Sequence, residues 1–126
     1  KLPHAYMDFY PPEFEDFSQD AWKLDEWVFE RVHALLDKAE RGEDPLLIQR
    51  LKSDGIIFFL HLLGTDTFGH AKRPYSMEYI ENIRRLDREI MRLVEKIEKF
   101  FGDSSTAYIF TSDHGMSDKG ITTSSL

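Results

Sequence analysis

The sequence contains no cysteine, which excludes disulfide cross-links and thiolate metal sites and leaves the cellular compartment open. It is also short of positive charge: 16 Lys and Arg stand against 23 Asp and Glu, for a formal charge of −7. That balance offers no basic patch to replace phosphate counterions and argues against a nucleic-acid partner. No apolar run approaches the roughly 20 residues of a membrane span, and the opening KLPHAYMDFYPP is not a signal peptide. There is no internal repeat and no low-complexity tract. Proline is sparse, and three of the five prolines fall within the first 12 residues.

What remains is enough for a folded core. Of the 126 residues 41% are hydrophobic and 10 are Phe, and a fold of this length buries roughly two-thirds of its unfolded surface. The chain starts without Met and closes on KGITTSSL, with no further element to complete. It is therefore expected to be a piece of a larger protein.

Residues 1–17, with Pro3, Pro11 and Pro12, read as an irregular lead-in. A helix is expected from about Ser18 to Arg41, because Ala21, Leu24, Val28, Val32, Leu35 and Ala39 recur at spacings of three and four. Gly42 supplies its stop. Pro45 to Lys52 reads as a short helical turn with proline at its first position. The run GIIFFLH, 55–61, has strand length without alternation, as in a strand buried on both faces of a parallel sheet. A loop then spans LLGTDTFGHAKRP, 62–74. A long helix follows from Ser76 to about Phe101, with Ile80, Ile83, Leu86, Ile90, Leu93, Val94, Ile97 and Phe101 on one face. Ser76 is its expected N-cap and Gly102 its terminator. TAYIFT, 106–111, is the second expected strand.

Strand, helix and strand make a βαβ unit with parallel strands and a right-handed crossover. The expected class is thus α/β, a βαβ portion of a parallel-sheet domain preceded by a helix. Open α/β sheets bind ligands beyond the carboxyl ends of their strands. Asp66 and His70 follow the first strand, and Asp113 and His114 follow the second. Two carboxylates and two imidazoles on one edge are donors suited to Zn²⁺ or Mn²⁺. Gly64, Gly69 and Gly115 would let backbone approach a metal or an anion. Two divalent ions about 4 Å apart polarise a phosphoryl oxygen and activate a hydroxyl nucleophile. They need about six to eight protein ligands between them, so the four donors here form part of such a site.

Each element also has a plainer reading. Asp-x-x-x-His recurs by chance, and SDHG alone is a turn that Asp113 caps. Both motifs on one sheet edge are harder to explain that way. His61 reads as a core histidine or a support for a ligand, while His33 and His4 read as solvated. Lys72 and Arg73 either neutralise a substrate phosphate or are an exposed basic pair. Thr65 and Thr67 lack an evident base and are poor nucleophiles.

FFLHLLGTDTFGHAKRPYS followed by IFTSDHGMSDKG resembles the alkaline-phosphatase superfamily, and within it the GPI ethanolamine phosphate transferases. The upstream FEDFSQDAWKLDEWVFERV is similar to the same group, with Glu30 where that group has Asp. The resemblance runs from about residue 10 to Gly120. It implies that 18–120 is part of an alkaline-phosphatase-like (sulfatase-like) catalytic domain, lumenal in the endoplasmic reticulum and attached to membrane helices that lie outside this chain. It also implies transfer of phosphoethanolamine from phosphatidylethanolamine to the first mannose of the GPI mannolipid precursor, at a two-zinc site. By the same resemblance Asp66 and His70 hold one zinc, and Asp113 and His114 the other. The Thr nucleophile and an early Asp ligand are expected upstream of Lys1. Where the group continues into GSHG, this chain has Gly120 followed by Ile121, Thr122 and Thr123, so 121–126 reads as a divergent tail. Two alternatives stay open: another phosphodiesterase or GPI phosphoethanolamine transferase of the superfamily, and an inactive truncated fragment.

Overall fold

The computed structural model describes residues 5–12 and 20–123. Most of the lead-in, His4, the first residues of the expected opening helix and the last three residues of the tail fall outside that range. Within it lie four helices and one two-stranded hairpin: α1 (Trp22–Glu40), α2 (Pro45–Leu51), α3 (Gly64–Lys72), α4 (Met77–Phe101), β1 (Gly115–Met116) and β2 (Thr122–Thr123).

The helices start and stop where local chemistry dictates. Ser76 caps α4 by accepting the Tyr79 N–H at 3.2 Å, and Gly102 ends it in the left-handed conformation at φ 66°. Asp44 caps α2 by accepting the Leu47 N–H at 3.0 Å, with Pro45 in the first helical position. At about 1.5 Å per residue, the 25 residues of α4 run for ~38 Å without a break.

The apolar stripes of α1 and α4 face each other. Phe29, Val32 and Leu36 from α1 meet Leu86, Leu93 and Ile97 from α4 in the buried cluster. The stripe on α1 is rotated slightly from the expected one, with Leu36 fully buried and Leu35 only half-buried. Lys96 of α4 pairs with Asp37 and Glu40 of α1 along the rim. No helix among the described residues is long and apolar enough to cross a membrane.

Three expectations need correcting. The segments 55–61 and 106–111 form no ladder with each other or with anything else among the described residues; β1 and β2 are the only paired strands there. A strand apolar on both faces needs cover on both, and here helices cover one side at most. Leu60 and Leu62 pack against the core, while Ile57 is 88% exposed and Phe59 84%. That period of two suits extended backbone with one face uncovered. The second segment is exposed throughout, with Ile109 at 89%. The parallel pair is therefore absent from the described residues.

Next, the expected loop at 62–74 contains α3, a nine-residue helix. Its two glycines hid it, because glycine weakens a helical reading. Last, the tail completes an element: Thr122 and Thr123 pair antiparallel with Met116 and Gly115. The connecting turn closes with the Gly120 N–H donating to the Ser117 carbonyl at 2.8 Å, and Gly120 sits at φ 71°.

Candidate metal site

Asp66 and His70 lie one turn apart on α3, which places both side chains on one face of that helix. Asp113 and His114 sit in the short segment leading into β1. The hairpin docks on α3. His70 Nδ1 is 2.7 Å from the Gly120 carbonyl, and Met116 packs into the space left by the missing side chain of Gly69. A Cβ on Gly120 would lie 2.6 Å from the Gly69 carbonyl. Two glycines thus let the backbones of helix and hairpin come into contact.

That docking brings the two motifs together. The Asp66 Oδ1 atom is 3.4 Å from His70 Nε2 and 3.7 Å from His114 Nε2. Asp113 Oδ2 is 3.7 Å from His114 Nε2. The four residues therefore form a line, His70, Asp66, His114, Asp113, joined by successive side-chain contacts. Asp66 Oδ1 is buried and has no hydrogen-bond partner. Such an atom costs free energy unless something else satisfies it.

The imidazoles are oriented alike. His70 Nδ1 faces the Gly120 carbonyl, and His114 Nδ1 faces the Gly115 carbonyl at 3.0 Å. A carbonyl only accepts, so each Nδ1 carries a proton and each ring turns its Nε2 toward Asp66. This is the arrangement in which a backbone carbonyl fixes the ligating tautomer of a histidine. In donor chemistry the set fits a divalent ion of the zinc type. In geometry no three carboxylates or imidazoles among the described residues yet close around one ion. The Asp113 side chain is 80% exposed and reaches His114 at 3.7 Å.

Two of the three glycines, Gly64 and Gly69, act differently from expectation. The space above Gly64 is taken by the Asp25 carboxylate and that above Gly69 by Met116, so neither faces an external ion. His61 is exposed rather than in the core, against the edge of Phe59. Lys72 and Arg73 are exposed, and Arg73 holds φ 76° at the end of α3, a conformation that costs a non-glycine residue about 1–3 kcal/mol. Thr65 accepts a hydrogen bond from Asn82 at 3.1 Å, and Thr67 is buried. A cleft of about 870 Å³ between α3 and α4, lined by Thr67, Lys72, Asn82 and Arg85 among others, contains none of the four candidate ligands.

Asp25 was missed from the sequence. It is completely buried and accepts the N–H of Gly64, the first residue of α3, at 2.8 Å. Burial raises its carboxyl from 3.8 to about 6, against the opposing pull of the Gly64 N–H, the nearby Asn82 amide and the His61 charge. A signal was there to be read. Asp25 stands in the row Asp25, Phe29, Val32, Leu36, where the other three members are apolar.

Residues 3–121 match the model of the type I phosphodiesterase / nucleotide pyrophosphatase family. The chain belongs to that family. It is similar to proteins named GPI ethanolamine phosphate transferase 1: it is 51% identical over 113 residues to that of Aspergillus oryzae, 51% over 111 to that of Gibberella zeae and 47% over 112 to that of Yarrowia lipolytica. These alignments cover 88–90% of this chain and 11–12% of each relative. The chain thus spans about a ninth of the length of the family members it resembles. No solved structure matches it.

Proposed function

We propose that this chain carries part of the metal site of a GPI ethanolamine phosphate transferase, which moves phosphoethanolamine from phosphatidylethanolamine to the first mannose of the GPI precursor. The observation that carries the reading is the unpartnered Asp66 Oδ1 facing two Nε2 atoms, one from each motif. Similarity to transferases of that name at about 50% identity supports the substrate class. In this reading the site belongs to a lumenal domain of the endoplasmic reticulum membrane, and the Thr nucleophile lies outside the chain.

Asp66 and His70 would hold one divalent ion, and Asp113 and His114 the other, with Zn²⁺ the ion best suited to this donor set. Such ions supply Lewis acidity to a phosphoryl oxygen and lower the pKa of a bound hydroxyl. The chain's own contribution is placement. The Gly120 and Gly115 carbonyls hold each imidazole by its Nδ1, and the Asp66 carboxylate stands between the two Nε2 atoms. Holding these groups before substrate arrives removes reorganisation from the transition state.

The test is a chimera in which this segment replaces the aligned 113 residues of the Aspergillus oryzae relative. It should transfer labelled phosphoethanolamine to the mannolipid, and His114→Ala in the chimera should abolish transfer. Undiminished turnover in the His114→Ala chimera would falsify the assignment. The family description favours one second reading, a nucleotide phosphodiesterase. Hydrolysis of a nucleotide phosphodiester by the chimera, without transfer to mannolipid, would select it.

A further inference from the structure

We infer that Asp25 is a positioning residue: from α1 it fixes the first turn of α3, and through that turn it sets where Asp66 and His70 stand. The inference rests on the proposed reading of those two residues as metal ligands.

Asp25 is chemically out of place in its surroundings. Asp25 lies in the buried face of α1, where an apolar residue would pack without the cost of burying a carboxylate. Its Oδ2 has no hydrogen-bond partner, so the side chain is not there for economical packing. Its Oδ1 accepts the N–H of Gly64, 39 residues away in the chain. That N–H opens α3, and Leu63, the residue at the cap position, supplies no side-chain cap. A helix start without a local cap needs an acceptor from elsewhere, and Asp25 provides it.

Two further contacts turn this cap into a clamp. Gly64 lacks a Cβ, and one placed there would lie 2.8 Å from the Ala21 carbonyl and collide with the Asp25 carboxylate. The close approach of α1 therefore depends on glycine at this position. From the other side, Asn82 of α4 donates to Thr65 Oγ1 at 3.1 Å. Residues 64 and 65 are thus gripped from α1 and α4 respectively, and residue 66 is the candidate ligand. Rotation of α3 about its axis would swing Asp66 and His70 together, and this clamp opposes it. Groups that orient metal ligands typically change affinity about 10- to 100-fold when removed.

Cobalt(II) titration of the chain, followed by its visible spectrum, gives the test. Asp25→Leu removes the acceptor while keeping the number and branching of the side-chain heavy atoms, and should weaken Co²⁺ binding about 10- to 100-fold and alter the band shape. Asp25→Asn keeps an oxygen for the Gly64 N–H and should bind within about threefold of the unaltered chain, a rescue that simple loss of fold would not give. If Asp66→Ala loses Co²⁺ while a folded Asp25→Leu binds as tightly as the unaltered chain, the clamp is wrong and the metal site stands. If Asp66→Ala also binds unchanged, the metal reading fails and the inference goes with it. Should Asp25→Leu not fold, Gly64→Ala drives a Cβ against the same carboxylate: weaker Co²⁺ binding supports the clamp, and unchanged binding overturns it.

Discussion

The two halves of the candidate site are held in opposite ways. Asp66 and His70 ride on α3, whose start is gripped by Asp25 and Asn82 and whose flank carries the hairpin. Asp113 and His114 sit outside any helix, in a segment where Asp113 is largely exposed and only His114 reaches the helical half. One half is preorganised and the other is left to complete itself around whatever binds. The contrast teaches that placing a motif depends on how many elements brace it. Two helices and the hairpin brace α3, while 113–114 have the hairpin alone.

The comparison predicts unequal losses. Asp66→Ala removes the atom that faces both imidazoles and should weaken metal binding more than any other single change here, measured by equilibrium dialysis. Asp113→Ala should cost about tenfold, in the lower part of the range for ligand-shell changes. Equal losses from the two would break the contrast.

Acidity should act on the braced half through Asp25. Its folded carboxyl titrates near 6 and its unfolded one near 3.8. The proton is bound more tightly in the folded state, so the stability Asp25 contributes is fully present below 3.8 and is lost as pH rises through about 6. Asp25→Asn does not titrate. Relative to that variant, the unaltered chain should lose about 3 kcal/mol of stability between pH 3.5 and pH 7, read by urea unfolding at each pH. A difference that stays flat with pH would remove Asp25 from this account.

Gly120 joins the two halves. Its φ of 71° and the 2.6 Å approach to the Gly69 carbonyl leave no room for a Cβ, so Gly120→Ala should destabilise by about 2 kcal/mol, the middle of the range for strained backbone. It should also loosen His114 more than His70, visible as a larger change in the His114 imidazole NMR signals. Ser76→Ala, which strips the α4 cap, should cost about 1 kcal/mol and leave Co²⁺ affinity unchanged. A loss of affinity there would mean that the brace extends along α4.

Helical periodicity made α1 and α4 legible, because on α4 Leu86, Leu93 and Ile97 bury one face and Ser76 and Gly102 mark the ends, and Pro45 marked α2. Helix α3 was not legible, since Gly64 and Gly69 argue locally against a helix that Asp25 and Asn82 impose from outside. The expected strands failed for a related reason. GIIFFLH and TAYIFT have the composition of doubly covered strands, and the described residues supply no second layer. Even so, the site's four candidate residues were placed together by sequence reasoning. What gathers them is the hairpin docking on α3, not a shared sheet edge.

The most direct test of the central claim, that the two motifs form one site, is a double-mutant cycle on Asp66 and His114 with Co²⁺ affinity as the readout. The account predicts strong coupling, with the double variant losing little more than Asp66→Ala alone. Losses that simply add would show two independent motifs and contradict it.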